Sequence, residues 1–185
     1  MRNNEGSEMG SDKAWLHEQE VTYRKYTLWF IYACIIYSLI GFSWGAIMGG
    51  ISELRHFVDH RLHGDLIVRG HTHINLLGWV EMAIFGAVYY IIPRLVNRPI
   101  YSLRLVIVHF WIHNIGLIGM VVFFVMAGVM GGTASVYSTP EEVELIVKPL
   151  LATMGIFGTM VLLANCIWAY NLYKTCAGWE KSYEK

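Results

Sequence analysis

The sequence is short of charge and of cysteine, and each shortage excludes something. Charged residues make up 15% of the 185 residues, with 14 basic side chains balanced by 14 acidic ones. A chain of zero net charge carries no electrostatic footprint for nucleic acid, which is gripped through a basic surface. The three cysteines, Cys34, Cys166 and Cys176, fall in or at the ends of apolar runs and build no disulfide framework. No Cys-x-x-Cys-His occurs. The first two dozen residues are polar and lack the pattern of a signal peptide, so the first apolar run is expected to direct insertion itself.

What the chain has in excess is apolar surface. Hydrophobic residues are 55% of the total and aromatic ones 14%, with a mean hydropathy of +0.43. That composition places it among integral membrane proteins. A helix of ~20 residues crosses a hydrocarbon core of ~30 Å, and four apolar stretches qualify, at about 26–50, 66–93, 102–128 and 149–173. The expected fold is an all-α, four-helix transmembrane bundle. A membrane domain over 25–175 lies between a polar tail at 1–24, mobile or surface-lying, and a shorter one at 176–185. Ten basic residues lie on the side of the two termini and four on the other. The positive-inside rule then puts both termini in the cytoplasm.

Smaller patterns fill in the connections. Gly41, Gly45 and Gly49 recur every four residues, a stripe that lets a neighbouring helix or a flat macrocycle approach closely. His56, His60 and His63 fall at spacings that share one helical face, as a surface metal site or as part of a charged interfacial helix. Tyr89, Tyr90 and Arg94 close the second span as interfacial anchors. Thr139, Pro140 and Glu142 form a helix-start signature ahead of the fourth span, with Pro149 near that span's beginning.

The stretch with most chemistry is Arg69-Gly70-His71-Thr72-His73, at the entrance of the second span. A helix turns about 100° per residue, so His71 and His73 project about 200° apart. One helix thus offers an imidazole on each flank. Imidazole is the usual ligand of haem iron, and an ionisable residue inside a membrane span is costly unless it has a function. Without the covalent attachment signal, such a haem is non-covalent. Arg55, Arg61 and Arg69 stand just above the histidines, where planar guanidinium groups suit haem propionates. Deeper lie Glu81 on the second span, and His109 and His113 one turn apart on the third. Glu81 and His113 come out at similar depth and can pair; with His109 they make a possible second metal site. His113 is about 13 Å too deep to share an iron with His73.

From His71 to Arg94, the His-x-His followed by Asn-Leu-Leu-Gly-Trp-Val and Gly-Ala-Val-Tyr-Tyr-Ile-Ile-Pro-Arg-Leu resembles part of the haem-copper oxidase catalytic subunit. The likeness is greatest to cbb-type cytochrome c oxidases and bacterial nitric oxide reductases. It continues through Pro99-Ile100-Tyr101-Ser102, His109-Phe110-Trp111 and Ile115-Gly116, and ends at Ala169-Tyr170-Asn171-Leu172-Tyr173-Lys174-Thr175. Residues from about 26 to 175 are thus similar to the last four spans of a twelve-span subunit. The resemblance implies that His71 is the proximal ligand of a high-spin, active-site haem and that His73 ligates a low-spin, electron-transferring haem. It also implies a bacterial or archaeal cytoplasmic membrane. The family's copper-binding histidines, and the second ligand of its low-spin haem, come from earlier spans. A single copy of these four spans is therefore not expected to reduce oxygen to water alone.

Three readings follow. The first is a homodimer that holds haem b through His71, His73 or both, for electron transfer or small-gas (O₂, NO) binding. Cytochrome c, a quinol or a soluble dehydrogenase would be its redox partner, and lipid its surroundings. The second is a metal-binding membrane enzyme or transporter built on Glu81, His109 and His113. The third is a structural subunit of a larger redox complex.

Overall fold

Apolar runs broken by short polar connectors become six α-helices in the computed structural model, which describes the backbone of residues 5–177 and the side chains of residues 21–177. They are α1 (Glu5–Gly50), α2 (Ser52–His60), α3 (Leu66–His73), α4 (Glu81–Leu95), α5 (Leu103–Ala134) and α6 (Pro140–Ala177). A π-helical segment, Ile74–Val80, joins α3 to α4 as one continuous rod. Among the described residues there is no strand. Among the described residues, four segments are long and apolar enough to cross a membrane: Val21–Gly50, Leu66–Leu95, Leu103–Ala134 and Pro140–Ala177.

The helix ends differ from the sequence expectation where polar residues prolong a helix already nucleated. Helix α1 starts at Glu5, so most of the stretch expected as a separate tail continues the first span's backbone. Adding residues to an existing helix is cheap compared with starting one. Residues 1–4 and 178–185, and with them most of the expected C-terminal tail, lie outside the described residues. Helix α6 begins at Pro140, nine residues before the expected span. Its start is a reciprocal cap: Glu142 N donates to Thr139 Oγ1 at 3.4 Å, and Thr139 N donates to Glu142 Oε2 at 2.9 Å. Pro149 lies inside this helix and does not end it.

Helices α5 and α6 pack against each other as one pair, and α1 packs against the second span. Phe30, Met82, Phe85, Tyr89 and Leu117 are fully buried where these elements meet. Large apolar side chains such as Leu39, Ile156 and Leu162 face outward. Continuous apolar surface of that kind suits hydrocarbon and not water. The glycine stripe of α1 is largely helix packing. Gly41 meets the Asn75 side chain, and a Cβ at Gly45 would lie 3.0 Å from His71 Cε1. Only Gly49 has open space beside it.

The connector between the first two spans corrects one expectation. Helix α2 stops at His60, and His63 takes a left-handed conformation with φ of 65°. His56 and His60 stack at 4.3 Å, while His63 Nε2 turns to Glu144 Oε1 on α6, 2.9 Å away. The turn removes His63 from the shared helical face, so the three-histidine cluster does not form.

Candidate functional site

The two histidines at the entrance of the second span face different helices. The His71 ring lies edge-on to Trp44 of α1, with centroids 6.0 Å apart. The His73 ring lies 4.9 Å from Phe124 of α5. Both rings are half-buried.

Their hydrogen bonds set them apart chemically. His73 Nδ1 is 2.7 Å from the carbonyl oxygen of Arg69, one turn back. A carbonyl only accepts, so Nδ1 carries the proton and Nε2 presents a lone pair. An imidazole oriented through Nδ1 in this way is prepared to bind a metal through Nε2. His71 is held differently. The Asn75 amide donates to the His71 carbonyl at 2.8 Å, and the same nitrogen lies 3.3 Å from His71 Nδ1. His71 Nδ1 is then the acceptor, and its Nε2 carries the proton. The donor set at His73 fits haem iron; at His71 it favours hydrogen-bond donation until Asn75 or the ring rearranges.

Of the three arginines expected near propionates, Arg69 pairs with Asp65 at 2.9 Å, with both side chains more than half exposed. Arg55 on α2 and Arg61 at its end are exposed as well. An exposed pair of this sort contributes little stability and is easily exchanged for another anion.

A second polar cluster lies deeper, between α4 and α5. His109 and His113 are both fully buried. His113 Nε2 lies 3.1 Å from the carbonyl of Leu77 and 3.8 Å from Glu81 Oε2. The π-helical segment explains why that carbonyl is available. Glu81 N–H bonds back to Leu76 O and not to Leu77 O, the partner it would take in an α-helix. Leu77 O therefore accepts from the imidazole instead. His109 Nδ1 meets Tyr89 Oη at 3.1 Å. Tyr89 is thus a core residue and not the interfacial anchor expected for it. Its neighbour Tyr90 does face outward, under the guanidinium of Arg94 at 3.6 Å. Among the described residues, no group of three or more His, Cys, Asp or Glu side chains is arranged to hold a metal ion.

Two polar links were not anticipated. Tyr37 Oη donates to Asn114 Oδ1 at 2.6 Å, beneath an apolar cleft of about 690 Å³ between α1 and α5 that Trp29, Trp44 and Trp111 help to line. Asn171 and Thr175 of α6 bond the backbone of Ser102 and Tyr101. Periodicity gives no signal for either, because each partner comes from a different helix.

Residues 13–176 match the family described as cytochrome c and quinol oxidase polypeptide I. Cytochrome c oxidase subunit 1 of Rhodobacter capsulatus is 32% identical over 71% of this chain and 25% of its own length. The cbb3-type cytochrome c oxidase subunit CcoN1 of Stutzerimonas stutzeri is 27% identical over 68% of this chain and 27% of its own length. A subunit 1 homolog of Agrobacterium tumefaciens, strain T37, is 31% identical over 71% of this chain and 25% of its own length. The chain spans about a quarter of the length of these curated relatives. With four membrane-spanning helices and this match across most of its length, the chain belongs to the cytochrome c and quinol oxidase polypeptide I family.

Proposed function

We propose that the chain binds b-type haem non-covalently through His73 and serves membrane electron transfer, or the binding of a small gas. The observation that carries this reading is the bond from His73 Nδ1–H to the Arg69 carbonyl, which leaves Nε2 ready as an axial ligand. Bound haem supplies an iron that changes by one electron between ferrous and ferric. The chain's own part is to fix the imidazole, to exclude water with Phe124, and to offer Arg55, Arg61 and Arg69 to the propionates.

His71, on the α1 side, is a second ligand position if Asn75 releases its Nδ1. Leu76 and Val80 stand exposed on the second span below His73. A haem on that flank needs a further apolar wall, which a second copy of the chain supplies in a two-fold dimer. Held by both histidines, the haem would serve as an electron carrier; held by one, it would be able to bind O₂, NO or CO. Both termini are then cytoplasmic, and the haem lies towards the outer face of a bacterial or archaeal cytoplasmic membrane. Cytochrome c, which the relatives' names carry, or a quinol, which the family's description carries, is the donor this reading favours.

The test is the absorption spectrum of the full chain purified in detergent after expression with ample haem. A Soret band that is lost in His73→Ala supports the proposal. Colourless wild-type protein, or a band unchanged in His73→Ala, overturns it.

A further inference from the structure

The exposed face of α2 carries two imidazoles that the packing of the bundle does not use. His56 and His60 are both exposed and one helical turn apart. Their rings stack with centroids 4.3 Å apart and planes inclined at 21°. Although His63 has left this face, the remaining pair is close enough to act together.

The hydrogen bonding prepares one ring and leaves the other free. His60 Nδ1 lies 3.2 Å from the carbonyl oxygen of His56. A carbonyl only accepts, so Nδ1 carries the proton and Nε2 keeps its lone pair. A metal-binding histidine is usually held in this way. The His56 ring has only the stacking contact among the described residues, so it can turn either nitrogen to an ion.

Histidines at i and i+4 on one helical face can share one metal ion. Two nitrogens bound ~2.0 Å from an ion at about 90–110° stand roughly 3 Å apart. The stack therefore has to narrow by roughly 1 Å at its nitrogen ends, a change that side-chain rotation supplies. The backbone spacing is already set, because α2 is pinned from its other side. Val58 is buried, and Phe57 lies against Gly132 of α5. Charge favours a cation as well. Glu53 and Asp59, both exposed, are three residues to either side of His56, within about 60° of it around the helix axis. Arg55 is about 100° away.

We propose that His56 and His60 form a chelating site on α2 for a divalent transition metal ion, with copper(II) bound most tightly. Neutral imidazoles suit copper, nickel and zinc, whereas magnesium and calcium take oxygen ligands. Copper(II) heads the general order of affinity among first-row divalent ions. With two protein ligands on an exposed helix, water completes the coordination. The ion is then exchangeable, unlike zinc in a closed set of four protein ligands. The site is independent of whether haem binds at His73.

The test uses the untagged full chain as purified in detergent, dialysed against a chelator and titrated with Cu²⁺ alone. Electron paramagnetic resonance reads the nitrogens bound to copper, and the titration gives stoichiometry and affinity. The expected result is one ion per chain with two imidazole nitrogens. His56→Ala and His60→Ala should each leave one nitrogen and weaken binding about tenfold or more, since a chelate becomes a single ligand. Both positions are exposed, so neither change disturbs the core. His63→Ala should bind as the wild type does. Wild-type protein that binds no copper overturns the proposal. So does binding that survives unchanged in the His56→Ala, His60→Ala double variant, or that falls as far in His63→Ala as in the other two.

Discussion

The side-chain amide of Asn171 pairs with both backbone polar groups of Ser102: Nδ2 donates to the carbonyl and Oδ1 accepts from the N–H, each at 3.0 Å. Asn171 is fully buried, near the end of α6, and Ser102 caps the start of α5. One planar group therefore fixes where two spans meet. Asn171→Ala leaves a buried backbone donor and acceptor unpaired, and should lower stability by about 1–3 kcal/mol. Asn171→Asp keeps the acceptor alone and should lose a similar amount. Thermal unfolding in detergent measures both, and Asn165→Ala, on the same helix but half-exposed, serves as the comparison.

The ligand assignment can be tested by restoring what a mutation removes. His73→Gly should lose its Soret absorption and regain it with millimolar imidazole, because the space and the Arg69 carbonyl remain. His71→Gly should keep most of the absorption without added imidazole. Arg69→Ala retains its backbone carbonyl and so should keep haem. Its midpoint potential should move to more negative values, since a nearby cation is removed and the ferric state gains. Redox titration followed by absorption measures that shift.

Two glycines on facing helices should respond in opposite ways. A Cβ at Gly78 would lie 2.7 Å from Tyr37 Cγ and 2.9 Å from its Cβ. Tyr37 cannot swing aside without breaking its bond to Asn114. Gly78→Ala should therefore cost about 1–3 kcal/mol through overpacking. Gly49 meets nothing within 4 Å, and Gly49→Ala should be neutral or slightly stabilising. Midpoints of thermal unfolding for the two variants should fall on opposite sides of, or one below and one at, the wild-type value.

Much of this arrangement is written in local patterns. Apolar run length marks the four spans, and the offset of two residues sends His71 to α1 and His73 to α5. Thr139 with Glu142 announces the start of α6. Pairings across helices leave no such trace. Tyr89 reads as an interfacial anchor because it neighbours Tyr90 and Arg94. Its burial depends on His109, twenty residues away, and on Phe30 of α1. Likewise the spacing of His56, His60 and His63 presumes one unbroken helix, and the left-handed turn at His63 ends it. The π-helical segment is the least legible element, since Ile-Asn-Leu-Leu-Gly-Trp-Val is apolar enough for any helix. What favours it is a distant partner, the His113 imidazole that takes up the Leu77 carbonyl.

That dependence gives a prediction about His113 itself. His113→Phe keeps a buried ring of similar girth but removes the donor to Leu77 O. The carbonyl is then left without its imidazole partner, at a cost of about 1–3 kcal/mol. The segment can recover the loss by rewinding as an α-helix, in which Glu81 N–H bonds Leu77 O. Rewinding rotates α4 against α3 and pulls Glu81 and Tyr89 out of register with α5, so the loss of stability should come with a change at His109. Histidine ¹⁵N shifts of the variant should show His109 Nδ1 without its Tyr89 bond. If the segment keeps its π geometry without His113, those shifts will match wild type and only the stability will fall, and the imidazole then satisfies a turn whose cause lies in the packing of Gly78 against Tyr37.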